Sequence, residues 1–349
     1  MISEPIDGAR RGFALPAVLA VIGVVTIVFL VAMTALSSLN AEAASARDRV
    51  RFTQRALTAE ATLAYMMSTE PFGPLGMRIG APRALDPFLE PEDVEALASG
   101  VPTQDLRLDG SPYLLDVGGP MMVSLRDQAG MVNLAYLTPD QAERLAEQAG
   151  APRGFGRTLL ARYRDYADPD DLRQIDGAES SEYGGDGPAN RNLLRADEYL
   201  SILGVRQAVD SRKWRALRDA LAVDAGVPRA NVNTASADAL EILFGASPQQ
   251  ADAAIRARQQ APFLSFQDFV AASGVPDVSN DEILYTFPAG KVFFTLRDGR
   301  SAWIYRGRIS LTPSGLERPV WIDQTDTTEA PRRVAADTSN ATRFPYAPR

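Results

Sequence analysis

The residues FALPAVLAVIGVVTIVFLVAMTAL, Phe13–Leu36, decide the fold of this chain. The run contains no charged residue and directly follows Arg10, Arg11 and Gly12. Because about 20 apolar residues in a helix cross the hydrocarbon core of a bilayer, it predicts a membrane-spanning helix. Positively charged flanks stay on the cytoplasmic side, so the two arginines place the remainder of the chain outside the cytoplasm.

Two kinds of export signal compete with an uncleaved anchor. A secretory signal peptide has an apolar core of roughly 7–15 residues and then a small-residue cleavage site. The apolar run here is longer, and Ala41, Glu42 and Ala43 match such a site only weakly. Arg10 and Arg11 suggest a twin-arginine signal, but the run is again too long and too apolar. The simplest interpretation is an uncleaved anchor.

Pro16 favours a different N-terminus. Proline disrupts a helix interior but is tolerated in the first turn, whose N–H groups have no helical partner. Cleavage between Gly12 and Phe13 would place Pro16 in that turn. A short leader that ends in basic residues and Gly, followed by Phe and an apolar helix, resembles a type IV prepilin leader. In that family a membrane peptidase cuts after the Gly and the new amine is methylated; the fifth mature residue, usually Glu, is here Ala17.

The composition limits the chemistry that this chain performs. Its 349 residues suffice for two or three domains beyond the anchor. The net charge is −8 and the pI about 4.9, which argues against nucleic acid as a general partner because phosphate needs a basic face. The absence of Cys excludes disulfides and thiolate sites, and the absence of His removes the commonest general base. The composition therefore does not favour an enzyme.

The helical period continues beyond the apolar run. Apolar residues recur at spacings of three, four or seven until Ala64, and Pro71 and Gly73 end the pattern. We expect one helix over Phe13–Met67, about 80 Å long at 1.5 Å per residue. Its opposite face carries four arginines, which are typical of a solvated face: Arg47, Arg49, Arg51 and Arg55.

Strand patterns occur at both ends of the remaining chain. They cover Tyr113–Val117 and Met121–Leu125, and then Lys291–Leu296, Ser301–Leu311 and Leu316–Asp323. About 150 residues between the two groups have helical or loop patterns. Because three strands alone form a marginal sheet, we expect both groups to join in one antiparallel sheet.

The predicted fold class is therefore α+β: a pilin-like long N-terminal helix packed on an antiparallel sheet, with a large inserted α-helical domain. The predicted segments are a prepilin leader, 1–12; a transmembrane helix segment, 13–36; the soluble half of the long helix, 37–70; the first part of the sheet, 71–135; the inserted α-helical domain with two SAM-like repeats, 136–289; the second part of the sheet, 290–323; and a disordered tail, 324–349.

The segment between the two strand groups contains an internal repeat. GMVNLA at Gly130–Ala135 and ANVNTA at Ala230–Ala235 each precede a helical pattern, and the second copy resembles a helix-hairpin-helix or SAM-like unit. In nucleic-acid-binding hairpins the turn offers backbone N–H groups to phosphate. Here the turn Phe244–Pro248 lacks a second Gly, and only Arg256 and Arg258 lie nearby. We therefore favour a structural role over DNA contact.

The span from residue 165 to residue 186 is strongly acidic. Crowded carboxylates raise one another's pKa unless a cation or water screens them. Hard oxygen ligands on a loop suit Ca²⁺, although the spacing is not that of an EF-hand. A solvated acidic loop is an equal alternative, and a carboxylate pair for glycoside hydrolysis ranks below both. The acidic residues are Asp165, Asp168, Asp170, Asp171, Asp176, Glu179, Glu182 and Asp186.

Several motifs in order resemble the K protein of the type II secretion system, a minor pseudopilin. They are Tyr166–Asp171, Gly177–Glu179, Tyr183, Pro188–Asn190 and Leu203–Val205. The resemblance extends from Gly12 to about Asp323. Members of that family also commonly lack the mature Glu at position five and carry the second VNTA-type repeat.

The resemblance implies a calcium site and a set of partners. The matching ligand positions are Asp168, Asp170, Asp171 and Glu179, and Ser180 stands where family members often have Asp. The family function implied is a non-enzymatic tip subunit that initiates and caps a periplasmic pseudopilus and so supports export across the outer membrane. Its partners would be the I-type and J-type minor pseudopilins, the major pseudopilin, the prepilin peptidase and the inner membrane.

Two other functions remain open on the residues alone. One is a membrane-anchored DNA-binding protein that uses the helix-hairpin-helix repeat. The other is a membrane-anchored hydrolase that depends on a carboxylate between Asp168 and Glu179.

Overall fold

The computed structural model describes residues 14–80, 104–185, 187–224, 226, 230–276, 284–312, 317–330 and 340–345. The chain divides into two compact units, Met1–Gln54 and Arg55–Arg349. The predicted leader with Gly12 and Phe13 lies outside the described residues.

One helix, α1, runs from Ala14 to Thr69 and confirms the prediction of a single long N-terminal helix. In the first unit, the large apolar side chains from Leu15 to Leu36 are each 50% exposed or more. The helix is long and apolar enough to cross a membrane. These properties fit a single-pass membrane anchor near the N-terminus.

In the second unit, the end of α1 contributes to the core. Ala56, Ala59 and Leu63 recur at helical spacing and are at most 1% exposed. Arg55 pairs with Asp298 and donates from Nε to the Val117 carbonyl at 3.1 Å. This part of the helix therefore lies against the turns that contain Val117 and Asp298.

The main sheet has the strand order β12-β11-β10-β5-β4-β13. Adjacent strands are antiparallel except for β13, which pairs with β4 in parallel. Strands β5 and β10, from the two predicted groups, are direct neighbours, which confirms the prediction of one sheet. The strands are β4 (Asp109–Asp116), β5 (Pro120–Asp127), β10 (Lys291–Arg297), β11 (Trp303–Leu311), β12 (Val320–Glu329) and β13 (Thr342–Arg343).

The prediction of a disordered tail from residue 324 is wrong for the described part. Strand β12 continues to Glu329, and Arg308 on β11 pairs with Asp323 at 2.7 Å. Thr342–Arg343 forms β13, and Phe344 is only 4% exposed because it packs edge-on against Tyr113 at 6.0 Å. Backbone pairing at a sheet edge does not need an apolar period, so the polar composition was misleading.

A smaller antiparallel sheet precedes the main one. It contains β1 (Phe72–Gly73), β2 (Gly76–Ile79) and β3 (Gln104–Arg107) in that order. Met77 and Leu106 face each other in the pairing of β2 with β3 and are both fully buried. The segment between β2 and β3 lies largely outside the described residues.

The inserted domain is built from helices joined by short parallel strand pairs. Strand β6 (Val132–Asn133) pairs with β7 (Leu221–Ala222), and β8 (Ala230–Asn231) pairs with β9 (Leu284–Tyr285). Strand β6 thus pairs inside the insertion rather than with the main sheet. The helices are α2 (Pro139–Gln148), α3 (Phe155–Ala167), α4 (Ser180–Tyr183), α5 (Val205–Ala208), α6 (Ser211–Leu217), α7 (Ala237–Phe244), α8 (Pro248–Gln260) and α9 (Phe266–Ser273).

The helix boundaries follow the sequence signals. Thr138 caps α2 by accepting a hydrogen bond from the Gln141 N–H, and Ser236 caps α7 in the same way. Gly245 ends α7 with a φ of 67°, which favours glycine. Proline opens both α2 and α8, where its missing N–H has no cost.

Asp127, at the end of β5, holds together both ends of the inserted domain. Its Oδ1 accepts hydrogen bonds from the N–H groups of Ala129 at 3.1 Å and Ala289 at 2.9 Å. Its Oδ2 accepts from Asn231 Nδ2 at 3.0 Å and Thr234 Oγ1 at 2.8 Å. Burial raises the pKa of Asp127, and these hydrogen bonds oppose the rise. One buried carboxyl therefore connects the entry, the exit and the second copy of the internal repeat.

The two copies of the internal repeat contact each other at this junction. A Cβ on Gly130 would lie 2.6 Å from Thr234 Oγ1 and 2.7 Å from the Thr234 carbonyl carbon. Because real Cβ atoms do not approach so closely, only glycine permits this packing. The Gly that begins the first copy therefore lies against the Thr of the second.

Candidate metal centre

The acidic residues lie at the C-terminal end of α3 and in the loop that follows it. Asp168 is the C-cap, and its N–H donates to the Arg164 carbonyl at 2.9 Å. Asp165 belongs to the last turn of the helix. The C-terminal end of a helix dipole is negative, so it repels carboxylates and favours cations.

Three carboxylates meet at this helix end. Asp165, Asp168 and Glu179 each offer one oxygen, and these oxygens all lie within 4.8 Å of one another. Asp165 is fully buried and Glu179 is 4% exposed. Asp168 Oδ1 and both Glu179 oxygens are buried and accept no hydrogen bond from the described residues. Since buried polar atoms are rarely left unpartnered, this cluster fits a bound cation.

The electrostatics of the cluster support the same interpretation. Burial raises the pKa of Glu179 from 4.5 to about 7, and the neighbouring Asp165 and Asp168 add to the rise. Burial also raises the pKa of Asp168. A folded-state pKa above the unfolded one means that ionisation destabilises the folded state. Without a cation, stability is therefore lost as the pH rises from about 4.5 through about 7.

The loop folds tightly over Asp165. The Gln174 N–H lies 3.2 Å from Asp165 Oδ1 and 3.1 Å from Oδ2, and donates to this carboxylate. The Gly177 N–H donates to the Gln174 carbonyl at 3.0 Å. A Cβ on Gly177 would lie 2.7 Å from Asp165 Cγ. Glycine at this position therefore allows the loop to bring Glu179 over the helix end.

The structure brings together only part of the predicted ligand set. Asp168 and Glu179 lie in the cluster. Asp170 Oδ1 accepts from the Leu172 N–H at 2.9 Å, and Asp171 Oδ1 accepts from Ser180 Oγ at 3.0 Å. Both Asp170 and Asp171 are exposed and lie outside the three-carboxylate cluster.

Asp165 is the member that the predicted ligand set omits. It lies three residues before Asp168, so one helical turn places both carboxylates on one face. That spacing is visible in the sequence, but only the length of α3 shows that both residues belong to its C-terminal end. The resulting donor set is entirely carboxylate oxygen, which suits a hard cation such as Ca²⁺.

The residues before the helix-hairpin-helix turn are engaged in internal contacts. Arg144 Nε on α2 donates to the Ile242 carbonyl at 2.7 Å, and Gln141 Nε2 donates to the Leu243 carbonyl at 3.2 Å. Arg258 is 2% exposed and donates from Nη1 to two backbone carbonyls of the second repeat copy, at 2.9 and 2.6 Å. These contacts agree with the structural role expected for this unit.

Comparisons with known sequences find similarity to protein K of type II secretion systems. The family model "Type II secretion system (T2SS), protein K" matches residues 230–286. Type II secretion system protein K of Pseudomonas aeruginosa is 30% identical over 203 residues. The alignment covers 50% of this chain and 61% of that relative, so it spans less than two thirds of the relative's length.

A comparison of folds agrees with these sequence matches. The related chain comes from the crystal structure of the GspK-GspI-GspJ complex from the enterotoxigenic Escherichia coli type 2 secretion system. The TM-score is 0.52 at 17% identity, over 81% of this chain and 99% of that chain. At this identity the match concerns the fold, which is the α+β fold predicted. Together, the matches confirm the resemblance to protein K of the type II secretion system that the sequence predicts.

Proposed function

We propose that this chain is a minor pseudopilin of a type II secretion system and that it initiates and caps the pseudopilus. The observation that carries the proposal is the combination of an exposed apolar helix with a helical domain inserted between neighbouring strands of one sheet. The similarity to protein K relatives supports it. The bulk of the inserted domain would prevent another subunit from adding above it, as a cap requires.

Partner subunits would pack against α1. Leu57 and Tyr65 on the soluble part of this helix are 48% and 55% exposed, which offers apolar surface to neighbouring helices. The fold neighbour was crystallised as a GspK-GspI-GspJ complex. We propose I-type and J-type minor pseudopilins as direct partners and the major pseudopilin below them.

Ala17 supports a position at the top of the assembly. In type IV pilins a Glu at this position pairs with the terminal amine of another subunit, because an unpaired charge within a membrane is costly. The topmost subunit has no need of that pairing. The anchor would lie in the inner membrane, with residues 37–349 in the periplasm.

The first prediction concerns the N-terminus of the protein recovered from membranes. We expect prepilin peptidase to cut between Gly12 and Phe13, so that N-terminal sequencing and intact mass give Phe13 with a methylated amine. Gly12→Glu should block the cut, whereas Gly8→Glu in the same leader should leave it unchanged. An intact Met1 in cells with active peptidase would contradict the proposal and favour an ordinary anchored protein.

We also propose that the three-carboxylate cluster binds calcium. Calcium binding to the folded state should raise the free energy of unfolding of the full-length protein in detergent by about 2.7 kcal/mol when free calcium reaches roughly 100 times Kd. The melting temperature should rise with it. Asp168→Ala combined with Glu179→Ala should abolish the rise. The readout is the tryptophan fluorescence of the protein, to which Trp214, buried in the inserted domain, contributes together with Trp303 and Trp321.

Asp176→Asn is the matched control for the calcium prediction. Asp176 is exposed in the same loop and has a φ of 66°, a conformation that Asn tolerates. This variant should keep the full calcium response. An unchanged calcium response in the double variant would place the metal elsewhere.

The raised pKa of Glu179 gives a separate prediction. Metal-free protein should melt at lower temperature as the pH rises from about 5 to about 7, because ionisation of Glu179 destabilises the folded state.

A further inference from the structure

A second polar site lies where the inserted domain faces the main sheet. A cavity of about 90 Å³ lies between β5, β10 and β11 and the inserted-domain segments 195–197 and 218–223 and is partly open to solvent. A water molecule needs only roughly 10–15 Å³ of such space. The cavity therefore admits a group larger than one water molecule.

Arginines converge on this cavity from both sides. The strand register places Arg306 on β11 beside Thr295 on β10, and Thr295 beside Ser124 on β5. Arg126 lies two residues beyond Ser124 on the same face of β5, as the alternating burial of that strand shows. Arg218 approaches from the inserted domain, as does Arg195.

Two of these arginines, Arg126 and Arg306, have too few acceptors among the described residues. Arg306 Nε is buried without a hydrogen-bond partner, and Nη1 donates only to a threonine hydroxyl at 3.3 Å. The Arg126 side chain forms no hydrogen bond or ion pair with the described residues. Arg218 pairs with Asp197 at 2.9 Å through Nη2, and Arg195 and Arg218 reach Asp326 only at 3.8 and 3.7 Å. Several guanidinium N–H groups are therefore available to a ligand.

The charge of the cavity is also unbalanced. Four arginines and two aspartates, Asp197 and Asp219, line it, and Asp326 lies beside Arg195 and Arg218, which leaves an excess of one positive charge. Burial lowers the pKa of Arg306, and the neighbouring Arg218 lowers it further. Clustered cations in a partly buried site repel each other unless an anion compensates them. The planar guanidinium group matches carboxylate and phosphate oxygens well.

We propose that this cavity binds a phosphate-type oxyanion through Arg126, Arg218 and Arg306. The oxyanion would accept the free guanidinium N–H groups and neutralise the excess charge. It would thereby bridge the inserted domain and the face of the sheet that carries Arg126 and Arg306. The same chemistry is offered by free phosphate and by a phosphate group on a larger molecule.

The test is calorimetric titration of the full-length protein in detergent with inorganic phosphate and, separately, with glycerol 3-phosphate. Ionic strength is matched with sodium chloride because screening alone alters charged sites. We expect saturable phosphate binding, and at least a tenfold loss of affinity in Arg306→Met and in Arg218→Met. Tighter binding of glycerol 3-phosphate would assign the site to a phosphate carried by a larger molecule, and tighter inorganic phosphate would assign it to the free ion.

Arg153→Met is the matched control, because the Arg153 side chain is 94% exposed and does not line the cavity. It should bind phosphate like the unmodified protein. If Arg306→Met fails to fold, Arg218→Met provides the test. We expect this variant to fold because the Arg218 side chain is 30% exposed. No saturable binding above chloride, or equal affinity in Arg218→Met, would overturn the proposal.

Discussion

Gly177→Ala is expected to lower stability by about 3 kcal/mol and to abolish the calcium response, because the new methyl group has no space. Its Cβ would lie 2.7 Å from Asp165 Cγ, and Asp165 is fully buried. Either the loop or the end of α3 must move. Any such movement separates Glu179 from Asp165 and Asp168, so the three oxygens no longer converge. Thermal unfolding with and without calcium measures both effects.

Gly185→Ala is the control for this substitution. Gly185 lies in the same acidic span, and nothing lies within 4 Å of a Cβ built on it. We expect a change within about 0.5 kcal/mol, as for ordinary surface substitutions, and an unchanged calcium response. If Gly177→Ala behaves like Gly185→Ala, the close packing of the loop on Asp165 is contradicted.

Asp127→Ala is expected to cost about 4 kcal/mol, because it leaves four buried hydrogen-bond donors without their acceptor. Those donors come from both ends of the inserted domain and from the second repeat copy, so the junction loses its shared contact. Chemical denaturation should show the inserted domain unfolding at a lower denaturant concentration. The measurement is tryptophan fluorescence with Trp303 and Trp321 replaced by Phe, so that the signal comes from the buried Trp214.

Two further variants define the role of Asp127. Asp127→Asn keeps one carbonyl oxygen for the two backbone N–H groups, so we expect it to lose less stability than Asp127→Ala. Asp105→Ala removes a carboxylate whose side chain is 41% exposed, and should change stability by less than about 0.5 kcal/mol. Equal stability of Asp127→Ala and the unmodified protein would show that the junction is held by other contacts.

The sequence predicts the helix and the sheet well because their signals are local or periodic. The uncharged run after Gly12 predicts α1, and Thr138 and Ser236 mark the starts of α2 and α7. The sequence also predicts that the two distant strand groups join in one sheet, because three strands alone form a marginal sheet. These predictions need no knowledge of individual side-chain contacts.

The C-terminal strands were not predictable from the same signals. Strand β12 is an edge strand whose residues from Asp323 to Glu329 are all polar, and its extension past Asp323 depends on pairing with β11. Strand β13 pairs with β4 more than 200 residues earlier in the chain. Such pairings depend on which edge remains free after the sheet has formed, and a single sequence window does not contain that information.

The candidate metal centre shows the same limit at the scale of side chains. Acidic composition and the family resemblance identify Asp168 and Glu179. Which other carboxylates converge depends on backbone geometry: Asp165 faces inward from α3, whereas Asp170 and Asp171 are hydrogen-bonded within the loop. A pattern of acidic residues identifies the loop but does not identify the ligand set.

The pairing of β5 with β10 has a consequence for how such chains diversify. Asp127 and Ala289 share a hydrogen bond although they are 162 residues apart in sequence. Topologically, the inserted domain is the loop of a single β-hairpin. The entropic cost of closing a loop grows only with the logarithm of its length. A domain can therefore be gained, lost or exchanged at this hairpin without reordering the sheet, so the two parts of the chain are free to evolve at different rates.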